Sequence, residues 1–194
     1  MLQMITLHPV ASNVVNLYES FEHKGQTCLA FEILDRDLIQ LLGDRQYKPL
    51  SLNEIPPIAQ QLLTAFVALK GISVIHADLK LDNVMLINQE NQPFRVKLID
   101  FGLALHNSEV TTGLTVQALG YRAAEVILGL PFTEAIGMCG VGCVLAELFL
   151  TCYLFGTGYE YQKMMNIVDV LGQPDEHVLN AGIYTDKFFK ANWH

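Results

Sequence analysis

The sequence is poor in charge and has no basic run. Only 16% of its 194 residues are Asp, Glu, Lys or Arg, and 12 Lys and Arg stand against 20 Asp and Glu, a formal net charge of −8. With no cationic stripe there is no electrostatic footprint for a phosphate backbone, and direct nucleic-acid binding is not expected. Cysteine is sparse too. Cys28, Cys139, Cys143 and Cys152 form no Cys-x-x-Cys pair, which suits a reducing compartment. The N-terminus has no charged-then-apolar leader pattern, so secretion is not expected. No internal repeat or low-complexity tract interrupts the chain. What is there is ordinary core composition: 51% hydrophobic residues, ample for one domain of this length.

One stretch mimics a membrane span. From Gly137 to Gly156 the only ionisable carboxylate is Glu147, and the length approaches that of a spanning helix. Against that reading stand Glu147 in mid-segment, Gly137, Gly140 and Gly142, and the lack of flanking Lys or Arg. A buried core helix, from about Met138 to Cys152, fits better, and no membrane is expected as a partner.

The chemistry concentrates between Val74 and Gly102. Two short apolar runs, Val84-Met85-Leu86 and Val96-Lys97-Leu98-Ile99, read as buried strands, with Asn91-Gln92-Pro93 as the turn between them. A hairpin would bring the flanks of the runs together: His76, Asp78, Lys80 and Asn83 before the first, Asp100 after the second. Each alone has a plainer reading, since a turn Asp is usually a solvated cap and a lone Lys is usually surface. Together they place an acceptor carboxylate, an ammonium, an amide and a second carboxylate in one cleft. That set suits phosphoryl transfer, where a protein orients a hydroxyl and surrounds phosphates with cations.

The spacing Asp78-x-Lys80-x-x-Asn83 followed by Asp100-Phe101-Gly102 resembles the catalytic and metal-binding loops of protein kinases. His76-Ala77-Asp78, Gln92-Pro93-Phe94-Arg95-Val96-Lys97, Ile127-Leu128-Gly129-Leu130-Pro131-Phe132 and Ala146-Glu147-Leu148-Phe149-Leu150 resemble the homeodomain-interacting protein kinases, nearly end to end. The resemblance implies an α+β, two-lobe protein-kinase-like fold truncated at both ends. Residues 1–34 would be a small-lobe remnant and hinge, and residues 35–194 a partial, mostly helical large lobe. It implies Ser/Thr protein kinase chemistry with ATP and Mg²⁺. Asp78 would orient the hydroxyl and Lys80 steady the moving phosphate, with Asn83 and Asp100 on the metal. Phe31 would be the gatekeeper, Glu32-Ile33-Leu34 the hinge on adenine, and Leu86 the adenine floor. Protein substrates, among them transcription regulators, and a nuclear or cytoplasmic location are implied by the resemblance alone.

Local signals fill in the frame. Met1 to Ile5 reads as a last helical turn before His8-Pro9. Val14–Phe21 and Gln26–Ile33 read as strands around a Lys24-Gly25 turn. Asp35 to Leu42 is predicted as a short helix ended by Gly43. A longer helix carries Ile58, Leu62, Ala65, Phe66 and Leu69 on one face and runs to about Lys70. Ser51-Leu52-Asn53-Glu54 looks like a capping box, but Pro56-Pro57 conflicts with a start there, so the regular helix is placed from about Pro57. Tyr159 to Leu171 is a further helix closed by Gly172, and the tail to His194 is a weak mixture.

The chain also departs from the family. It carries no Gly-rich phosphate loop, no roof lysine and no partner Glu; those elements would precede Met1. Leu81 and Asp82 replace Pro and Glu beside the catalytic loop, and Ala124 replaces the Pro of Ala-Pro-Glu. Thr115 stands for an activation-loop Tyr and Leu119 for an Arg near the proline pocket. Glu125 survives, while its usual Arg partner would lie beyond His194. Cys139 and Gly140 stand for Trp and Ser. Gly137 stands for an Asp that braces the catalytic-loop backbone, so restoring Asp there is predicted to steady residues 75–79. The competing readings are an impaired kinase, a pseudokinase or binding module that acts through contacts, and a non-functional fragment.

Overall fold

The computed structural model describes residues 13–190; the helical turn expected at Met1–Ile5 lies outside them. Among these residues, three antiparallel two-stranded sheets stand against a helical body. Strands β1 (Leu17–His23) and β2 (Gln26–Phe31) form a hairpin turned by Lys24 and Gly25, with φ of 51° and 75°. Two successive positive φ values match the right-handed strand twist. The expected first strand starts three residues late because Val14 is used elsewhere. It bridges Leu98 in parallel, with Val15 N–H on the Leu98 carbonyl (3.0 Å) and Leu98 N–H on the Asn13 carbonyl (2.8 Å). The second strand ends at Phe31 rather than Ile33, since Glu32 N–H turns to the Asn16 carbonyl at 3.1 Å.

Helix α1 (Leu38–Asp44) begins three residues later than expected. Asp35 and Arg36 cannot join it, because their backbones pair with Leu86: Asp35 N–H on the Leu86 carbonyl at 2.9 Å, Leu86 N–H on the Arg36 carbonyl at 2.8 Å. Asp37 then caps the helix, its Oδ1 accepting from Gln40 N–H at 2.7 Å. Gly43 does not stop it; the chain leaves through Gln46 and Tyr47 at φ 55° and 56°. Helix α2 (Ile55–Gly71) buries the five predicted positions, Ile58, Leu62, Ala65, Phe66 and Leu69. It starts two residues before Pro57, because Pro56 and Pro57 sit in the first turn, whose N–H groups have no helical acceptor to lose.

Short strands β3 (Val74–Ile75) and β6 (Leu105–His106) pair with each other, and β4 (Val84–Asn88) pairs with β5 (Gln92–Leu98). The expected turn shifts to residues 89–91, and Pro93 lies inside β5. The ladder tolerates it because the register slips between Leu86 and Asn88 and Phe94 turns to φ 57°. A bulge needs no donor at that point. Four helices follow: α3 (Ala124–Ile127), α4 (Ala135–Leu150), α5 (Glu160–Leu171) and α6 (Glu176–Ala181).

Helix α4 is the apolar stretch, placed three residues earlier than expected and closed by Thr151 at φ 57°. Ile136, Val141, Val144 and Leu148 are buried, whereas Met138, Phe149 and Leu150 face outward. No helix among the described residues is long and apolar enough to cross a membrane. Glu147 is buried, and its Oε2 accepts the Tyr121 hydroxyl at 2.6 Å. The same phenol oxygen lies 3.5 Å from Leu81 N–H. One carboxylate thereby ties α4 to both the segment before α3 and the loop before β4.

Burial is the main cause that raises the Glu147 pKa, opposed by the Tyr121 hydrogen bond. The folded state therefore holds this proton more tightly than the unfolded chain, so stability from this group falls as pH rises above about 4.3, the ordinary Glu value. Glu147→Gln keeps an acceptor for Tyr121 and has no charge to bury. The variant should be as stable as the parent at pH 4 and more stable at pH 7 in urea melts. A parent that matches or exceeds the variant at pH 7 would contradict the assignment.

Candidate active site

In the loop from His76 to Asn83 all but Lys80 and Asp82 are buried, yet every residue of it has a polar backbone to satisfy. The sequence meets this with an imidazole. His76 is 1% exposed, and its Nε2 lies 2.9 Å from the Ile99 carbonyl. Asp78 N–H donates to His76 Nδ1 at 3.3 Å. With Nδ1 accepting, the proton must sit on Nε2 and the ring is neutral. Burial lowers the His76 pKa from its ordinary value, opposed by the Ile99 bond and the Asp78 and Asp100 charges. Phe101 packs edge-on to the ring, centroids 4.8 Å apart.

That joint fixes the backbone of Asp78, which is 9% exposed. Asn83 clamps it from within: Nδ2 donates to the Asp78 carbonyl at 2.8 Å and to Oδ2 at 3.1 Å. Lys80 Nζ lies 3.4 Å from the same Oδ2. Asn83 in turn is tied to the far strand, because Ile99 N–H donates to its carbonyl at 2.9 Å. The hairpin β4–β5 thus brings together what the sequence spaces apart. Asp100 leaves β5 in the left-handed region (φ 57°), and its Oδ1 accepts Gly102 N–H at 3.1 Å. A Cβ on Gly102 would stand 3.0 Å from that oxygen, so any larger residue there would press on the Asp100 carboxylate. With Nδ2 committed, Asn83 presents Oδ1, and Asp100 presents a carboxylate. Two hard oxygens of this kind suit Mg²⁺, which prefers one or two protein oxygens and completes its shell with phosphate and water.

Beside these groups lies a cavity of about 460 Å³ lined by Val15, Leu29, Phe31, Leu34, Met85 and Ile99, with Asp100 at its edge. Phe31 and Leu34, expected near the adenine, both lie on the cavity wall. Glu32 also lines it, but its carboxylate turns away to Lys97 and to Asn16 N–H (2.7 Å). Leu86 is a correction. It is fully buried and absent from the cavity wall, where Met85 takes the floor. Successive strand residues face opposite ways, and the Leu86 backbone is fixed to Asp35 and Arg36. Strict alternation from Asn83 would have found Met85; nothing in the sequence pointed to the Lys97–Glu32 pair.

The brace expected of residue 137 is also corrected. Gly137 lies in the first turn of α4, and a Cβ there would come within 2.4 Å of Phe66 Cε1. The Phe66 ring already occupies that space. Leu119 offers no donor, as expected, but Arg122 turns back to the carbonyls of Val116 (3.0 Å) and Gln117 (2.8 Å) and pairs with Glu160. Glu125 makes no ion pair among the described residues.

Comparison with known sequences bears on the same residues. The family model of the protein kinase domain matches residues 2–182. Homeodomain-interacting protein kinase 2 of Mus musculus is 47% identical over 180 residues, 93% of this chain and 15% of that protein. The chain is 46% identical to homeodomain-interacting protein kinase 1 of Caenorhabditis elegans over 178 residues, 92% of this chain and 21% of the relative. Homeodomain-interacting protein kinase 4 of Homo sapiens is 39% identical over 190 residues, 97% of this chain and 31% of the relative. The chain therefore spans between 15% and 31% of the length of these relatives.

Two outcomes follow from the loop geometry. His76 has a lowered folded pKa, so the unfolded state takes up the proton first. Stability from this group is present above about pH 6.5 and is lost as pH falls below it, at no more than about 1.4 kcal/mol per pH unit. His76→Gln should flatten the pH dependence of the urea midpoint between about pH 6.5 and 5; an unchanged slope would refute the buried neutral ring. Gly137→Asp, predicted from the family pattern to steady the loop, should instead destabilise the fold by about 1–3 kcal/mol through overpacking against Phe66. A rise in the melting temperature of that variant would restore the bracing account.

Proposed function

The chain belongs to the protein kinase family, and from that premise we propose that its cleft serves transfer of the ATP γ-phosphoryl group to Ser or Thr hydroxyls of proteins. Asp78 orients the incoming hydroxyl and accepts its proton, and Lys80 steadies charge on the phosphate in flight. Asn83 and Asp100 hold Mg²⁺, which neutralises phosphate charge when bound. Phe31, Leu34 and Met85 take the adenine ring, with the backbone of Glu32 and Leu34 at its edge. In this reading residues up to Leu34 act as small lobe and hinge, and the rest as the helical lobe. The observation that supports it most is the Asn83 amide, which spans the Asp78 carboxylate and carbonyl beside Lys80. The relatives are named for interaction with homeodomain proteins. We extend that to protein substrates among transcription regulators, and with it a nuclear site of action.

A binding-module reading has one observation in its favour. The two cations nearest the cavity are already paired, Lys80 with Asp78 and Lys97 with Glu32. No phosphate-cradling glycine loop stands among the residues of the chain. In this reading the apolar cavity takes the adenine, and these residues alone give the phosphates no free cation.

Both readings can be separated with one protein preparation. Mg-ATP should bind this chain no more tightly than millimolar, about 4 kcal/mol, and adenosine should bind at least as well, because the phosphates find no cradle. Isothermal titration of both ligands checks this, and a micromolar constant for Mg-ATP with weaker adenosine binding would reject it. Phosphoryl transfer to a Ser/Thr peptide library, read by mass spectrometry, should be slow in the parent and lost in Asp78→Asn. Equal transfer by parent and variant would sink the kinase reading.

A further inference from the structure

Something other than residue 137 must hold the His76–Asn83 loop against helix α4. Gln117 is in position to do so. It is 5% exposed and lies at φ 67°, a conformation a non-glycine residue adopts only when its surroundings fix it. Its backbone N–H donates to the Ala77 carbonyl at 2.9 Å, and Ala77 is itself left-handed, at φ 62°. Its side-chain Nε2 donates to the Ile136 carbonyl at 3.1 Å, in the first turn of α4. Its Oε1 accepts Ala123 N–H at 2.9 Å, at the start of α3. Its carbonyl accepts from Arg122, Nη2 at 2.8 Å and Nε at 3.2 Å. Both backbone groups and both ends of the side-chain amide of this buried residue are therefore engaged, with partners in three segments.

We propose that Gln117 is the positioning residue of the site: its side-chain amide anchors it to α4 and to the start of α3, and so fixes the backbone N–H that holds the Ala77 carbonyl, where Phe66 excludes an acidic side chain at 137. The inference rests on the reading of Asp78 as the group that orients the hydroxyl. A methylene shorter, as in Asn, the amide would not reach Ile136 while the backbone N–H stays on Ala77. A carboxylate, as in Glu, would keep the acceptor for Ala123 but turn a second acceptor on the Ile136 carbonyl. The side chain acts on Asp78 only through the loop: once Ala77 is released, Asp78 N–H drifts from His76 Nδ1, and the ring keeps only its bond to the Ile99 carbonyl.

The test uses the ligand-free chain, so its result stands whether or not nucleotide binds; failure of the functional reading would appear in the titrations instead. Gln117→Met and Gln117→Glu are compared with Leu41→Ala, a core change in α1, none of whose residues hydrogen-bonds residues 76–79. Amide exchange across residues 76–79 should quicken roughly tenfold or more beyond the change in global stability in both Gln117 variants, the factor of about one lost hydrogen bond, and only in step with global stability in Leu41→Ala. At pH 8 the His76 Nδ1 ¹⁵N signal should lie at the position of a hydrogen-bonded acceptor in the parent and in Leu41→Ala, and shift downfield toward a free acceptor in the Gln117 variants. Loop exchange that merely follows global stability, with an unchanged Nδ1 signal, would overturn the proposal. Should the variants not fold, the parent alone decides: the amides of Asp78, Gln117 and Ala123 should open with one common free energy, and separate openings would refute the assignment.

Discussion

The neutral ring of His76 is the joint on which the cleft depends. It satisfies an acceptor on one strand, the Ile99 carbonyl, and a donor on the loop, Asp78 N–H. Both lie where water cannot replace it, so the loss of either bond leaves a buried polar group unpaired. Everything further out is built on that joint. Asp78 is turned toward Asn83, Asn83 is tied back to Ile99, and Asp100 leaves the strand one residue later in a left-handed turn. The chemistry of the site is therefore a consequence of how one short hairpin satisfies its own backbone.

The helical body supplies the floor for that hairpin, at some electrostatic cost. Helix α4 carries a buried carboxylate, Glu147, and a bare position, Gly137, where a side chain would strike Phe66. Glu147 is partnered by Tyr121 and so links the segment before α3 to the loop that holds Asp78. Gln117 makes the second link from the same segment. The two contacts explain why the region between Asp100 and Ala124, polar and irregular in sequence, is ordered against the cleft instead of trailing from it.

Much of this was legible in the sequence, and the misses have local physical causes. The face of α2 followed from its spacing, and the Lys24-Gly25 turn from its residues. The start of α1 did not, because Asp35 and Arg36 are claimed by the Leu86 backbone, a tertiary bond that no local propensity reports. Pro56 and Pro57 were weighed as helix breakers when they occupy first-turn positions that need no donor. The residues Asp78, Lys80, Asn83 and Asp100 announced themselves by order and spacing. Met85 was mistaken for Leu86 by one position, and in a strand one position is the opposite face. Gln117 carried no sequence signal, since its role depends on two left-handed residues forty positions apart in the chain, Ala77 and itself.

The central claim is that the Asp78 half of the candidate site is formed without any ligand, held by the Asn83 amide. The direct measurement is hydrogen exchange of the Asn83 side-chain NH₂ in the ligand-free chain, followed by NMR. The account requires those protons to exchange slowly, near the rate of the most protected backbone amides of β4, and to lose that protection in Asp78→Ala. Exchange in the parent as fast as that of a free asparagine side chain would contradict it.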